Sequence, residues 1–303
     1  MSSTQTDPDR GAQRSDRPAS GEEGVVKGTT GRGQAGKTAL LAVVLVWCLT
    51  PFGWLILTSL KESIQALDHP SPFVGPFGFG NYEAVFGQNF GYTLRNSLIV
   101  AGTTTVVCIV IGSLAAYALA RLPLKGKLVL LSGVLAISLF PPVSLVPPLY
   151  EVWRSLGMLN TYPSMWVSYT AFTLPLTIFV LTTFFSQIPP DLEEAARVDG
   201  ASPFQAFYKV IVPLAAPGVG ATAIIAFVFA WNEFLLASTF CPRTLACQTV
   251  PVAIASFTGA SQFERPIGDI TAASVIVVIP MIIVVLVFQR RIVSGLTAGG
   301  VKG

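Results

Sequence analysis

Three observations predict an all-α integral-membrane protein with six transmembrane helices. Six apolar runs, at about 38–60, 96–120, 128–150, 165–187, 215–240 and 270–289, each supply the roughly 20 residues that cross about 30 Å of hydrocarbon. Charged residues make up 12% of the chain against 52% hydrophobic, and they cluster between those runs. Only one connection, residues 188–214 between the fourth and fifth runs, is a polar island with helix signals of its own. Helices follow because single spans in lipid must satisfy their own amides. No internal repeat is evident.

Lys and Arg set the orientation. Six lie in the N-terminal tail, three at Arg121, Lys125 and Lys127, two in the island (Arg197, Lys209) and three at Arg290, Arg291 and Lys302. Those 14 share one side, whereas five (Lys61, Arg95, Arg154, Arg243, Arg265) fall on the other. Both termini and the island are therefore expected in the cytoplasm. The formal charge of +3 needs no nucleic-acid partner.

Residues 1–37 are rich in Ser, Gly, Thr, Arg and Asp with almost no apolar side chains, so a disordered tail is expected. No small-residue cleavage site follows the first apolar run, which reads as a retained signal anchor. Residues 31–38 satisfy the phosphate-loop pattern G-x-x-x-x-G-K-[ST]. A phosphate-cradling loop needs a strand before it and a soluble helix after it. With a polar tail before it and a span after it, the match is not read as a nucleotide site; Lys37 anchors the start of the first span.

The third run holds Pro141-Pro142 and Pro147-Pro148, so its outer half must kink or unwind. Broken helices at membrane depth are tolerated where they are buried or line a cavity, which leaves a gate near residues 140–150 and a packed kink both open.

In the island, Gly200 suits the left-handed residue that ends a helix, and Ser202-Pro203-Phe204-Gln205 reads as a capping box with Pro at the first helical position. Two short helices with a sharp turn at Gly200 are expected. On the first, Leu192, Ala195, Ala196 and Asp199 form a stripe of mostly small side chains that admits a close neighbour. On the second, Phe204, Phe207, Tyr208 and Ile211 share a face, as anchors either on a partner or on the chain's own spans. Pro213 and Pro217 end the segment.

Glu233 is the one charge well inside an apolar run, beside Trp231 and Asn232. A carboxylate at membrane depth costs roughly 2–3 kcal/mol near the centre, so it either lines a solute path or pairs with a neighbouring helix. Cys48 and Cys108 read as buried small hydrophobes. Cys241 and Cys247, six positions apart on the outer side, have a compartment that permits a disulfide, but spacing alone does not establish one. With His69 as the only histidine, in another outer loop, no zinc set assembles. No paired carboxylates and no nucleophile–base pair appear, so neither an enzyme nor a cofactor is expected.

The island's Glu194-Ala195-Ala196, then Gly200, Val210 and Val212-Pro213, closely resembles the EAA loop of permease subunits of bacterial ABC importers. That family usually has Ile and Leu at the two valine positions, a conservative difference. Trp231-Asn232-Glu233-Phe234-Leu235-Leu236, Ala255-Ser256-Phe257-Thr258-Gly259 and the ending from Gln289-Arg290-Arg291 to Thr297-Ala298-Gly299-Gly300-Val301-Lys302-Gly303 are similar to its maltose/trehalose-type carbohydrate branch. The resemblance implies a permease domain over 38–293 between the tail and a cytoplasmic C-terminal segment, 294–303. It places the chain in the bacterial cytoplasmic membrane and implies half of a translocation path for a sugar, a di- or oligosaccharide such as trehalose or maltose.

Implied partners are a second homologous permease, two ATP-binding cassette subunits that hydrolyse ATP, and an extracellular solute-binding lipoprotein. By the same resemblance Glu194, Ala195, Ala196, Asp199, Gly200, Ala201, Phe204 and Pro213 would couple to the ATPases. Trp231, Asn232 and Glu233 are candidates for the path. Ala255, Ser256, Phe257, Thr258 and Gly259 are candidates for contact with the binding protein. A self-sufficient secondary transporter or channel is the rival reading. It would need ion-coupling residues within the spans, where Glu233 stands alone, and such folds often carry inverted repeats.

Overall fold

The computed structural model describes residues 31–61, 76–257 and 266–299, with side chains described between 36 and 287. The expected tail to residue 30, His69, Arg265, and Thr258 and Gly259 lie outside the described residues, as do the side chains of the C-terminal segment. Every named element is helical, and one isolated bridge, Lys61 to Phe77, is the only strand-like pairing among the described residues.

The chain divides into two compact units at Pro51–Phe52. In the first, residues 31–51 form the beginning of α1, Gly31–Ser59. The helix starts seven residues before the apolar run, inside the segment assigned to the tail, although Gly31, Gly33 and Gly36 are poor helix formers. Residues 31–38 are thus continuous helix, and the wrap that cradles phosphate is absent there. Trp47 is 81% exposed, as a lipid-facing side chain would be.

The second unit contains the rest of α1, then α2 (Gly80–Gly87) and α3 (Phe90–Arg121). Next come α4 (Lys127–Ser138), α5 (Pro142–Ser155) and α6 (Tyr162–Gln187). The island follows as α7 (Pro190–Val198), α8 (Pro203–Ala206), a π-turn (Phe207–Ile211) and α9 (Val212–Leu214). Beyond it lie α10 (Ala216–Asn232), α11 (Leu235–Phe240), α12 (Val250–Ala255) and α13 (Ile267–Gly299).

Four helices, α1, α3, α6 and α13, are each long and apolar enough to cross a membrane unbroken, and two bent pairs raise the number to six. The third span is one of those pairs: α4 and α5 meet at 84°. The break falls at 139–141, where Pro141 is extended and Pro142 takes the first helical position. Pro147 and Pro148 do not break the chain but sit inside α5. The expected kink is therefore concentrated at the first proline pair.

The fifth apolar run, expected as one span over 215–240, is also divided. Helix α10 stops at Asn232, Glu233 is extended, and α11 restarts at Leu235. Before it, α10 meets the island's last helical segment at 78° around Ala215.

Helix α3 contributes to all three buried clusters of the core, and α6 to two of them. Asn96 meets Tyr162 at one end and Gly112 meets Thr177 further along, so these spans run parallel. A Cβ on Gly112 would approach Thr177 Cγ2 to 2.6 Å, the close approach that small residues allow where lipid supplies no hydrophobic drive between helices. Thr170, Thr177 and Thr222 return their hydroxyls to carbonyls four residues back, which satisfies these three polar groups within their own helices.

Candidate functional site

The island is built by a helix end followed at once by a helix start. The Gly200 amide donates to Arg197 O at 3.1 Å and the Ala201 amide to Ala196 O at 3.0 Å, the paired bonds of a Schellman motif. That motif requires a left-handed residue, and Gly200 supplies φ of +88°. Two residues later the Gln205 amide donates to Ser202 Oγ at 3.2 Å and the Ser202 amide to Gln205 Oε1 at 2.8 Å, a complete capping box. The two expected helices and the turn at Gly200 are present. The second continues through a π-turn that the sequence did not signal.

Burial separates the residues that hold the island from those it presents. Phe207 and Ile211 are buried with Ala116, Leu181 and Phe185. Phe204 and Tyr208, on the same nominal face, are 64% and 45% exposed. The aromatic face is therefore split: half anchors on the chain's own spans and half points outward. On α7, Glu194, Ala195 and Asp199 are exposed and Ala196 half-buried. Pro213 is exposed and Ala201 half-buried. Asp199, Gly200, Gln205 and Lys209 line a shallow groove beside the turn.

Three residues missed by the sequence reading fix this arrangement. Tyr117 Oη donates to Glu193 Oε1 at 2.6 Å, and Arg121 Nε lies 3.4 Å from Glu193 Oε2. Arg121 Nη2 also donates to Ile188 O at 2.7 Å. The available signal was the Glu193-Glu194 pair itself. Successive helical residues diverge by about 100°, so only one of the two can face outward.

The path candidates do not form one surface. Trp231 is buried at 2% exposure and stacks on Phe227 at 5.5 Å, so it is a core residue of this subunit. Asn232 is exposed, with its amide on Val228 O. The Glu233 carboxylate accepts from the Leu236 and Ala237 amides at 2.8 and 3.0 Å. Capping α11 is what lets a carboxylate sit at the break, because the free amides at that helix start need an acceptor. Of the binding-protein candidates, Ala255 and Ser256 are exposed, and Phe257 packs 6.1 Å from Phe90.

Cys241 and Cys247 form a disulfide, with Cα atoms 6.1 Å apart. Asn96 Nδ2 donates to the Leu245 and Gln248 carbonyls and Tyr162 Oη donates to Asn96 Oδ1, pinning the bridged loop onto α3 and α6. Among the described residues no group of three His, Cys, Asp or Glu could hold a metal ion.

Residues 108–297 match the family model described as "Binding-protein-dependent transport system inner membrane component". The trehalose transport system permease protein SugB of Mycobacterium tuberculosis (strain CDC 1551 / Oshkosh) is 48% identical over 265 residues, 86% of this chain and 95% of that one. The trehalose/maltose transport system permease protein MalG of Thermococcus litoralis is 43% identical over 268 residues, 87% and 94% of the two chains. The sulfoquinovosyl glycerol transport system permease protein SmoH of Agrobacterium fabrum is 43% identical over 264 residues, 86% and 92%. Among solved structures, a chain of a bacterial ABC transporter involved in the import of the acidic polysaccharide alginate is similar in fold. Its TM-score is 0.69 at 22% identity, covering 87% of this chain and 98% of that chain.

Proposed function

The chain belongs to the family of binding-protein-dependent transport system inner membrane components, and from that premise we propose that it is one permease subunit of an ATP-driven sugar importer. It would pair with a second, homologous permease, stand on two ATPase subunits at its cytoplasmic face, and receive solute from an extracellular binding protein. The substrate class is a di- or oligosaccharide, with trehalose or maltose first to be tried, since two relatives named above carry those sugars in their names. Both termini and the island lie in the cytoplasm.

The observation that carries the reading is the island itself: a capped, exposed pair of helices seated on the ends of the spans. Glu194, Ala195, Asp199, Gly200 and Phe204 present one rim to a partner, with Ala196, Ala201 and Pro213 around the turn. Small residues let the partner backbone approach, and Phe204 supplies an aromatic anchor. ATP binding would draw the docked partners together, the island would move as a rigid body, and the spans would change which side they open to. The chain contributes half of the path and no ATP chemistry.

The deciding experiment is reconstitution of the chain with its second permease, ATPases and binding protein in proteoliposomes, followed by labelled trehalose and maltose. Uptake that needs internal ATP supports the importer. Uptake driven by a proton or sodium gradient without ATP would favour the rival secondary transporter instead.

Two further results are expected. With the N-terminus inside, an impermeant thiol reagent should label Leu245→Cys, an exposed position in the bridged loop, in intact cells, and Ser202→Cys only after the membrane is opened. Labelling of Ser202→Cys in sealed cells would reverse the orientation. Lys37→Ala, which destroys the phosphate-loop match, should leave ATP hydrolysis by the complex within about twofold, roughly 0.4 kcal/mol. Loss of most hydrolysis in an assembled complex would restore that motif.

A further inference from the structure

We infer that Tyr117, Arg121 and Glu193 form a latch that makes the second span, α3, a driven element of the transport stroke. The inference rests on the coupling role proposed for the island. By covalent connection the island can pull only on the spans that flank it, α6 and α10. Both connections are weak levers: Ile188 and Pro189 are extended, and the chain bends sharply at Ala215. Helix α3 ends 67 residues before Ile188, yet it receives the island through three polar contacts.

Both oxygens of one carboxylate have a partner, Oε1 a hydrogen bond from the tyrosine hydroxyl at 2.6 Å and Oε2 a charge contact, not a hydrogen bond, with the guanidinium Nε at 3.4 Å. The same guanidinium reaches back to Ile188 O at 2.7 Å, so one arginine grips α7 and the segment that leads into it. The Arg121 and Glu193 side chains are 10% and 13% exposed, which leaves the pair little screened by solvent or salt. A second set of contacts holds the other half of the island, since the Tyr117 ring lies 4.9 Å from that of Phe207. Tyr117 therefore touches both halves, one through its hydroxyl and one through its ring.

An apolar contact would hold the island as firmly, and an ion pair taken out of water often adds little net stability. What the two-oxygen pairing adds is direction, since it fixes how α7 is rotated on α3. The neighbouring carboxylates then have separate duties: Glu194 faces outward to the partner, while Glu193 faces inward to the latch.

The test uses the complete reconstituted complex. Glu193→Gln and Arg121→Gln should keep wild-type amounts of co-purified ATPase and continued ATP hydrolysis, while ATP consumed per sugar imported rises about tenfold, the scale of one lost charge-assisted hydrogen bond. The exchange Glu193→Arg with Arg121→Glu should recover part of that ratio. Wild-type stoichiometry in both single variants would overturn the latch.

A measurement that leaves the latch intact guards against variants that misassemble. Spin labels at Val198→Cys and Leu122→Cys, both exposed, with Cys48 and Cys108 replaced by serine, should keep one separation with and without ATP. A separation that changes between the two states would overturn the latch. Absence of ATP-driven uptake by the unmutated complex is a different failure, which removes the functional reading and the latch together.

Discussion

Gly200→Val is expected to reduce sugar uptake to background while the chain accumulates in the membrane near wild-type level. The reasons are local. Gly200 holds φ of +88°, and both Schellman bonds depend on it. A side chain with a Cβ costs roughly 1–2 kcal/mol in that conformation, and β-branching costs more. Space is not the obstacle within the subunit, because no atom lies within 4 Å of where a Cβ would stand. The valine would instead retilt α7 against α8 and project from the rim proposed to face the partner. Folding should survive, since the spans are untouched.

Gly200→Asn separates the two causes, since asparagine tolerates the left-handed region and should retain more uptake than valine. Glu194→Lys should also impair docking, by reversing the charge of the outward carboxylate, without altering the turn. Uptake is to be measured at matched abundance, together with the ATPase that co-purifies. Wild-type uptake by Gly200→Val at equal expression would remove the island as the mechanical link.

Which features the sequence discloses depends on whether the determinant is local. The turn at Gly200 and the capping box at Ser202 are written in consecutive residues, so both appear in the structure where the sequence placed them. The proline pair at 141–142 likewise announced a break, although the pattern did not say that Pro147 and Pro148 would be carried within a helix. Glu233 shows the limit of hydropathy: the apolar run continues across it, while the backbone breaks there and the side chain accepts from the Leu236 and Ala237 amides of the next helix.

The latch lay further out of reach. Tyr117 and Arg121 are separated from Glu193 by more than 70 residues, and a tyrosine and an arginine at the end of a span normally read as interfacial anchors. The division of Phe204 and Tyr208 from Phe207 and Ile211 is likewise set by tertiary packing through a π-turn, which shifts the face that a regular helix would present. The burial of Trp231 against Phe227, about one turn earlier in α10, is set by helical spacing and is not written in the tripeptide Trp231-Asn232-Glu233.

Gly218→Ala should do the opposite of Gly200→Val and deplete the folded protein before function can be measured. Gly218 lies in the first turn of α10 with ordinary helical geometry, so its need for glycine is steric. A Cβ there would stand 2.6 Å from both Cδ1 and Cδ2 of Phe184 on α6, and closer still to Cγ. The obstructing atoms are the root of the ring, which cannot swing aside as the tip of a long side chain can, so the helices must separate. Overpacking of this kind costs roughly 1–3 kcal/mol, and here it falls where α10 leaves the 78° bend that follows the island. The expected result is a lowered melting temperature of the detergent-purified chain and reduced membrane abundance, with larger losses for Gly218→Val. Phe184→Ala in the same chain should restore part of both, because removing the ring makes room for the new methyl and the two changes couple. An unchanged melting temperature for Gly218→Ala would mean that α6 and α10 do not approach each other this closely, and the seat assigned to the island's C-terminal end would have to be redrawn.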